Sequence, residues 1–302
     1  MSKNKLKKNI HDFFYHPASS LDLGISRFFY YGILFFIYLG TDFAEWGKVP
    51  NVLWHPIFIF DFFSVPVLSP EILGILGKIW IISILFCSIG FLTRLSTVVS
   101  FLIGLYLFGL INSFAKTSHV ESLMLLILAI MALSKCGDTF SADSLIKKRK
   151  NPDSEIKNIQ SIEYSWPISL IRVMFVFLFC AAGLSKFRNS GFNWFTSEFF
   201  SSLLINKGFT GDRAMPLVDW LPFWLGKQAK LSHFLAATAL FLEIFAPLAI
   251  FNKYLRVVII PSLFLLVSGF WIVLGIPFPQ LLASFVFWVP WSRVIRLDKK
   301  AL

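Results

Sequence analysis

The sequence predicts an all-α, polytopic integral membrane bundle of about eight transmembrane helices, with interfacial helices in the outer loops. Three observations predict it. The chain of 302 residues is 56% hydrophobic and only 15% charged, where soluble domains run at about 45–50% and about 25%. Its mean hydropathy is +0.71. Several apolar runs approach the roughly 20 residues that a hydrocarbon core of about 30 Å requires. A transmembrane barrel fits poorly, because its strands would alternate instead of running apolar throughout.

The elements follow in order. Met1 to Tyr15 carries Lys3, Lys5, Lys7 and Lys8 with no apolar core directly behind them, so it reads as a basic cytoplasmic start and not a cleaved signal. His16 to Ser20 is a turn or interfacial segment. A first span runs from Gly24 to Gly40. The stretch Asp42 to Pro70 is too polar and too broken by proline to cross, and its aromatics suit a loop on the bilayer surface. Spans two and three, Ile72–Leu92 and Leu95–Ile111, are joined by a tight turn at Thr93-Arg94. A fourth span is His119–Leu133. Lys135 to Ser165 is the most polar region and reads as a solvated loop. It divides a single membrane domain, 1–302, into halves 1–145 and 160–302. The fifth span is Trp166–Ser185, and short interfacial helices are expected over Lys186 to Lys230. Leu231–Phe251, Leu255–Leu274 and the shorter Pro279–Trp291 complete the set.

The basic flanks set an orientation. With both termini in the cytoplasm of a cell membrane, Arg94, Lys147–Lys150, Lys253, Arg256 and the tail after Arg293 all fall inside. The net charge of +11 therefore belongs to helix flanks and anionic lipid, not to nucleic acid. Cys87, Cys136 and Cys180 have neither metal-ligand spacing nor the pattern of a disulfide framework.

Few residues offer chemistry. Lys186 closes the small-residue run Cys180-Ala181-Ala182-Gly183-Leu184-Ser185, where another helix can come close. A lysine partly withdrawn from water can serve as a base. The orientation puts it at the same outer face as His119, with His55 and Asp61 in the neighbouring outer loop. The bland alternative is that Lys186 snorkels to the headgroups and His119 merely starts a helix. Arg172 lies about 21 Å back along the helix of Lys186, and Glu243 about 18 Å below the outer start of its own. Their comparable depth suggests an intramembrane ion pair, since either alone in hydrocarbon is costly. Pro247, four residues on, frees the Glu243 carbonyl from its helix bond. The chain holds no HExxH, GxSxG, phosphate loop or Cys-x-x-Cys, so metal hydrolysis, nucleotide use and serine chemistry have no support, and no metal is expected.

Several short motifs occur in a suggestive order: Arg27, Trp54-His55-Pro56, Gly90-Phe91-Leu92-Thr93-Arg94, Ser118-His119, Cys136-Gly137-Asp138, Ser141-Ala142-Asp143, Ala182-Gly183-Leu184-Ser185-Lys186-Phe187 with Trp194, and Glu243 with Pro247. On these the chain resembles the horizontally transferred transmembrane domain family, which includes the membrane part of vitamin K-dependent gamma-carboxylase. In that enzyme an Ala-Gly-x-Lys-Lys segment supplies the base for a hydroquinone. Lys186 falls on the second lysine, and Ser185 replaces the first. The resemblance implies a quinone-like cofactor or substrate, with Lys186 as base and His119 and His55 assisting. Carboxylation of protein glutamates is not expected, because the carboxylase continues into a large lumenal domain and this chain ends after its last span. Two further functions remain open. One is a non-enzymatic bacterial inner-membrane factor that helps mature or export a secreted peptide or protein. The other is a transporter with Arg172 and Glu243 along its path. In each, the lipid bilayer is the constant partner.

Overall fold

The computed structural model describes residues 11, 13–114, 119–151, 159–196, 198–211 and 214–295. The protein is an all-α integral membrane protein. Among the described residues, five helices are long and apolar enough to cross a bilayer: Ser20–Tyr38, Pro70–Ile89, Thr93–Phe114, Ile162–Ser190 and Lys253–Leu274. Glu121–Leu133 and Pro279–Trp288 are apolar but shorter. The chain forms two compact units, one of residues 15–171 and 289–302, the other of residues 1–14 and 172–288.

The first unit holds α1 (Ser20–Tyr38), the short α2 (Phe58–Phe62), α3 (Pro70–Ile89), α4 (Thr93–Phe114), α5 (His119–Leu133), α6 (Ala142–Lys150) and the start of α7 (Ile162–Ser190). The Ser19 hydroxyl caps α1 by accepting from the Leu21 N–H at 3.1 Å. Just before it, Ala18–Ser19 pairs antiparallel with Gln160–Ser161. Helix α3 starts on Pro70 and stops at Gly90, whose φ of 75° lets the chain reverse into α4. Helix α3 packs against α1 and α4, and α4 packs against α5. Tyr38, Phe43, Trp80 and Phe108 meet edge to face at their shared core. The Asp42–Pro70 stretch therefore does more than lie on a surface: Phe43, on a 3-10 turn, is buried.

The region 135–165 is also more than a solvated loop. Arg27 is fully buried in the first span. Its guanidinium donates to the carbonyls of Cys87, Ser88 (2.8 Å), Cys136 (3.1 Å) and Phe140 (2.6 Å). A charge in that position needs acceptors, and the 136–140 backbone supplies two of them. Cys136, Thr139 and Ser141 are buried as a result. Burial pushes the Cys136 thiol above its ordinary pKa, and all three cysteines are free. Ser141 and Ser144 then form a capping box that starts α6.

Asp143, in the first turn of α6, reaches back to the start of α4. Its carboxylate accepts from the Leu92 N–H at 2.9 Å, the Thr93 N–H at 2.7 Å and the Thr93 hydroxyl at 2.7 Å. Asp143→Asn keeps the shape but removes the charge from three donors. We expect a loss of about 1–2 kcal/mol, the usual value of a helix cap. An unfolding midpoint in mild detergent reads it, and an unchanged midpoint would show the cap to be idle.

The second unit continues α7 and adds α8 (Asn193–Thr196), α9 (Phe199–Thr210), α10 (Leu221–Lys227), α11 (Ala229–Phe245), α12 (Leu248–Phe251), α13 (Lys253–Leu274) and α14 (Pro279–Ala283). The interfacial segment expected after Lys186 is thus helical, as α8 to α10. Phe200, Leu204, Leu225, Ala236 and Leu274 form its core, with Trp194 and Phe270 packed against it. Pro247 has no N–H to continue the helix, so α11 stops at Phe245 and the chain resumes in α12. The apolar run Leu231–Phe251 is therefore two helices. Pro279–Trp288 likewise divides into α14 and a 3-10 turn.

Candidate functional site

The site grows from the end of α7. At Gly183 the helix has no side chain, and α11 fills the space. A Cβ built there would lie 2.9 Å from the Glu243 Cβ and 2.9 Å from the Ile244 backbone nitrogen. That close approach sets Glu243 against the next turn of α7. Lys186, three residues on, lies on the same face as Gly183. Its Nζ lies 2.5 Å from both carboxylate oxygens of Glu243. The Glu243 side chain is 2% exposed and the Lys186 side chain 24%. The pair is neutral as a unit, which makes its withdrawal from water tolerable where either charge alone would be costly.

Two aromatic faces complete the setting. The ammonium lies 5.5 Å from the Trp194 ring centroid and 5.6 Å from that of Phe270, both within cation–π range. Trp194 comes from α8, just past the left-handed turn at Gly191. Phe270 comes from the last turns of α13. The indole Nε1 of Trp194 and the Nε2 of His233 are buried with no hydrogen-bond partner among the described residues. A groove of about 400 Å³ runs along α7 beside Ala181, Leu184, Ser185 and Arg188, on a different face from Gly183 and Lys186.

The structure revises the ion-pair expectation. Glu243 pairs with Lys186, which places it about 21 Å along α7 from Arg172. Arg172 instead donates from Nε to the Phe287 carbonyl at 2.8 Å and lies 5.4 Å from the Trp288 ring. The depth estimate fails because it starts α11 level with the end of α7. In fact Glu243, near the end of α11 (Ala229–Phe245), meets Lys186, near the end of α7.

The two histidines belong to the other compact unit. His55 is exposed, and its backbone N–H donates to the Ser113 carbonyl at 2.9 Å. His119 opens α5, and its side chain lies outside the described residues. Arg27 is a structural centre that the motifs above do not mark as one. The signal was present as a lone arginine inside an apolar run, which always needs partners.

A model of the family described as TQO small subunit DoxD matches residues 38–180. The chain is similar to that family over this stretch, from the end of α1 into α7. The matched part ends six residues short of Lys186, so the ion pair lies beyond it. No curated protein and no solved structure matches the chain. The match corrects the resemblance to the horizontally transferred transmembrane domain family and its carboxylase, which is not upheld. The motifs behind that resemblance are short, and most are built of small, aromatic and proline residues around single charges. Helix packing and turns at a membrane surface produce such runs in unrelated proteins.

Proposed function

We propose that the chain is a membrane subunit that holds a lipophilic, quinone-like molecule beside Lys186 and Glu243 and handles a proton there. The observation that carries this reading is the half-dry ion pair between two aromatic faces. The roles differ from a simple lysine base. A lysine already bound to a carboxylate is an ammonium and has no lone pair to accept with. Glu243 is the acceptor. A ligand hydroxyl gives its proton to the carboxylate, and the Lys186 ammonium holds the oxyanion left behind. The buried Trp194 N–H and the flat aromatic walls suit a planar ligand with polar edges.

The test is to purify the protein in native lipid nanodiscs, extract it and identify small molecules by mass spectrometry. A quinone-class molecule is expected with the wild type, reduced at least about tenfold in Lys186→Met at equal protein recovery. Phospholipid alone in the wild-type extract would overturn the reading.

A second reading has its own observation. The family matched over residues 38–180 is described as a small subunit, and a small subunit works with a larger one. On this reading the chain is a partner-binding membrane factor and the ion pair is structural. A larger protein that co-purifies from native membranes equally with wild type and Lys186→Met, without any quinone, would favour it.

A further inference from the structure

The first unit carries a cavity that the ion-pair site does not use. It measures about 440 Å³ and lies where α4 begins and α5 has just ended, bordered by Thr93 and Ser134. Its lining brings together four cations, Arg94, Lys135, Lys147 and Lys148. Two carboxylates also face it, and both are already engaged. Asp143 caps α4, as described above, and Asp138 accepts from the Tyr164 hydroxyl at 2.8 Å. Of the cations, Lys135 is matched by Glu163 at 2.7 Å. Among the described residues, Arg94 makes only a 3.5 Å contact with the Ser134 carbonyl. Lys147 and Lys148 lie on the last turns of α6 with exposed side chains. Among the described residues, positive charge therefore remains unanswered around a space large enough for a ligand.

The floor of this cavity is fixed in advance. Arg27 holds the Cys136 and Phe140 carbonyls from behind, and the Ser141 capping box sets the direction of α6. A site whose backbone is already ordered loses less on binding than one that must be assembled. The cavity lies at the ends of apolar spans, where lipid phosphates are concentrated.

We infer that this cavity is a binding site for a phosphate anion, carried either on the headgroup of an anionic phospholipid or on a free phosphate compound, with Arg94, Lys147 and Lys148 as its cationic contacts. The two sources share one chemistry: a tetrahedral oxyanion that takes several charged N–H donors at once. This site stands apart from the proposed quinone-like ligand and survives if that reading fails.

The test is native mass spectrometry of the full chain in detergent, titrated with phosphatidylglycerol, phosphatidylcholine and inorganic phosphate. Phosphatidylglycerol is expected to be retained at a concentration about fivefold or more below phosphatidylcholine. Lys147→Gln/Lys148→Gln removes that preference. Lys227→Gln/Lys230→Gln takes the same charge from exposed positions in the other unit, and it leaves the preference intact. Inorganic phosphate that displaces the lipid at millimolar levels assigns the site to free phosphate compounds; failure to displace assigns it to the lipid. Equal retention of the two lipids without phosphate binding, or equal loss in both double variants, overturns the inference.

Discussion

Lys186→Met is expected to destabilise the protein by about 3–5 kcal/mol, clearly more than Glu243→Leu. The asymmetry follows from burial. Removing the lysine strands a carboxylate that is 2% exposed and that, among the described residues, only Lys186 bonds. Removing the glutamate strands an ammonium that is 24% exposed, on a flexible stem that can turn toward water. The double variant Lys186→Met/Glu243→Leu should recover most of the loss, because no charge then remains to be buried. Chemical unfolding in mild detergent, followed by near-UV circular dichroism, measures all three. Losses that simply add in the double variant would show that the two side chains do not depend on each other. Gly183→Ala should weaken the pair from a distance, by placing a methyl group 2.9 Å from the Glu243 Cβ.

Arg27→Lys should be nearly as damaging, about 3–5 kcal/mol, despite keeping the charge. Arginine reaches four carbonyls on two segments with a planar fork, and a single ammonium cannot span them. At least two buried carbonyls lose their donor, each at about 1–3 kcal/mol. Gly90→Ala reaches the same centre from the other side. Its φ of 75° strains an alanine, and the new Cβ would lie 2.8 Å from the Arg27 Nη2. Both variants should accumulate poorly in membranes, and both should have lowered unfolding midpoints. A wild-type midpoint for Arg27→Lys would mean that water, not the arginine, satisfies those carbonyls.

Much of the candidate site was legible in advance, but its pairing was not. The small-residue run through Gly183 announces a close helix contact, and Glu243 in an apolar segment announces a partner. The choice between Arg172 and Lys186 depended on how far α11 is offset along α7. The segment between them, α8 to α10, is broken by glycine and proline, and its sequence gives no depth. Lys186 was singled out as a base because it is a lysine near the end of a span. Its carboxylate neighbour, 57 residues away, turns it into a fixed cation and moves the accepting role to Glu243. Arg27 shows the reverse case. Its position in the first span is plain in the sequence, yet its four carbonyls lie 60 to 113 residues further on.

Hydropathy alone determined that this chain crosses a membrane and does so with helices. Those properties follow from local composition and from the need of every backbone amide in lipid to be bonded within its own segment. Which charges meet was decided only by the tertiary structure. An ion pair or an arginine clamp depends on the relative rise of two helices, and a shift of one turn, about 5.4 Å, exchanges one partner for another.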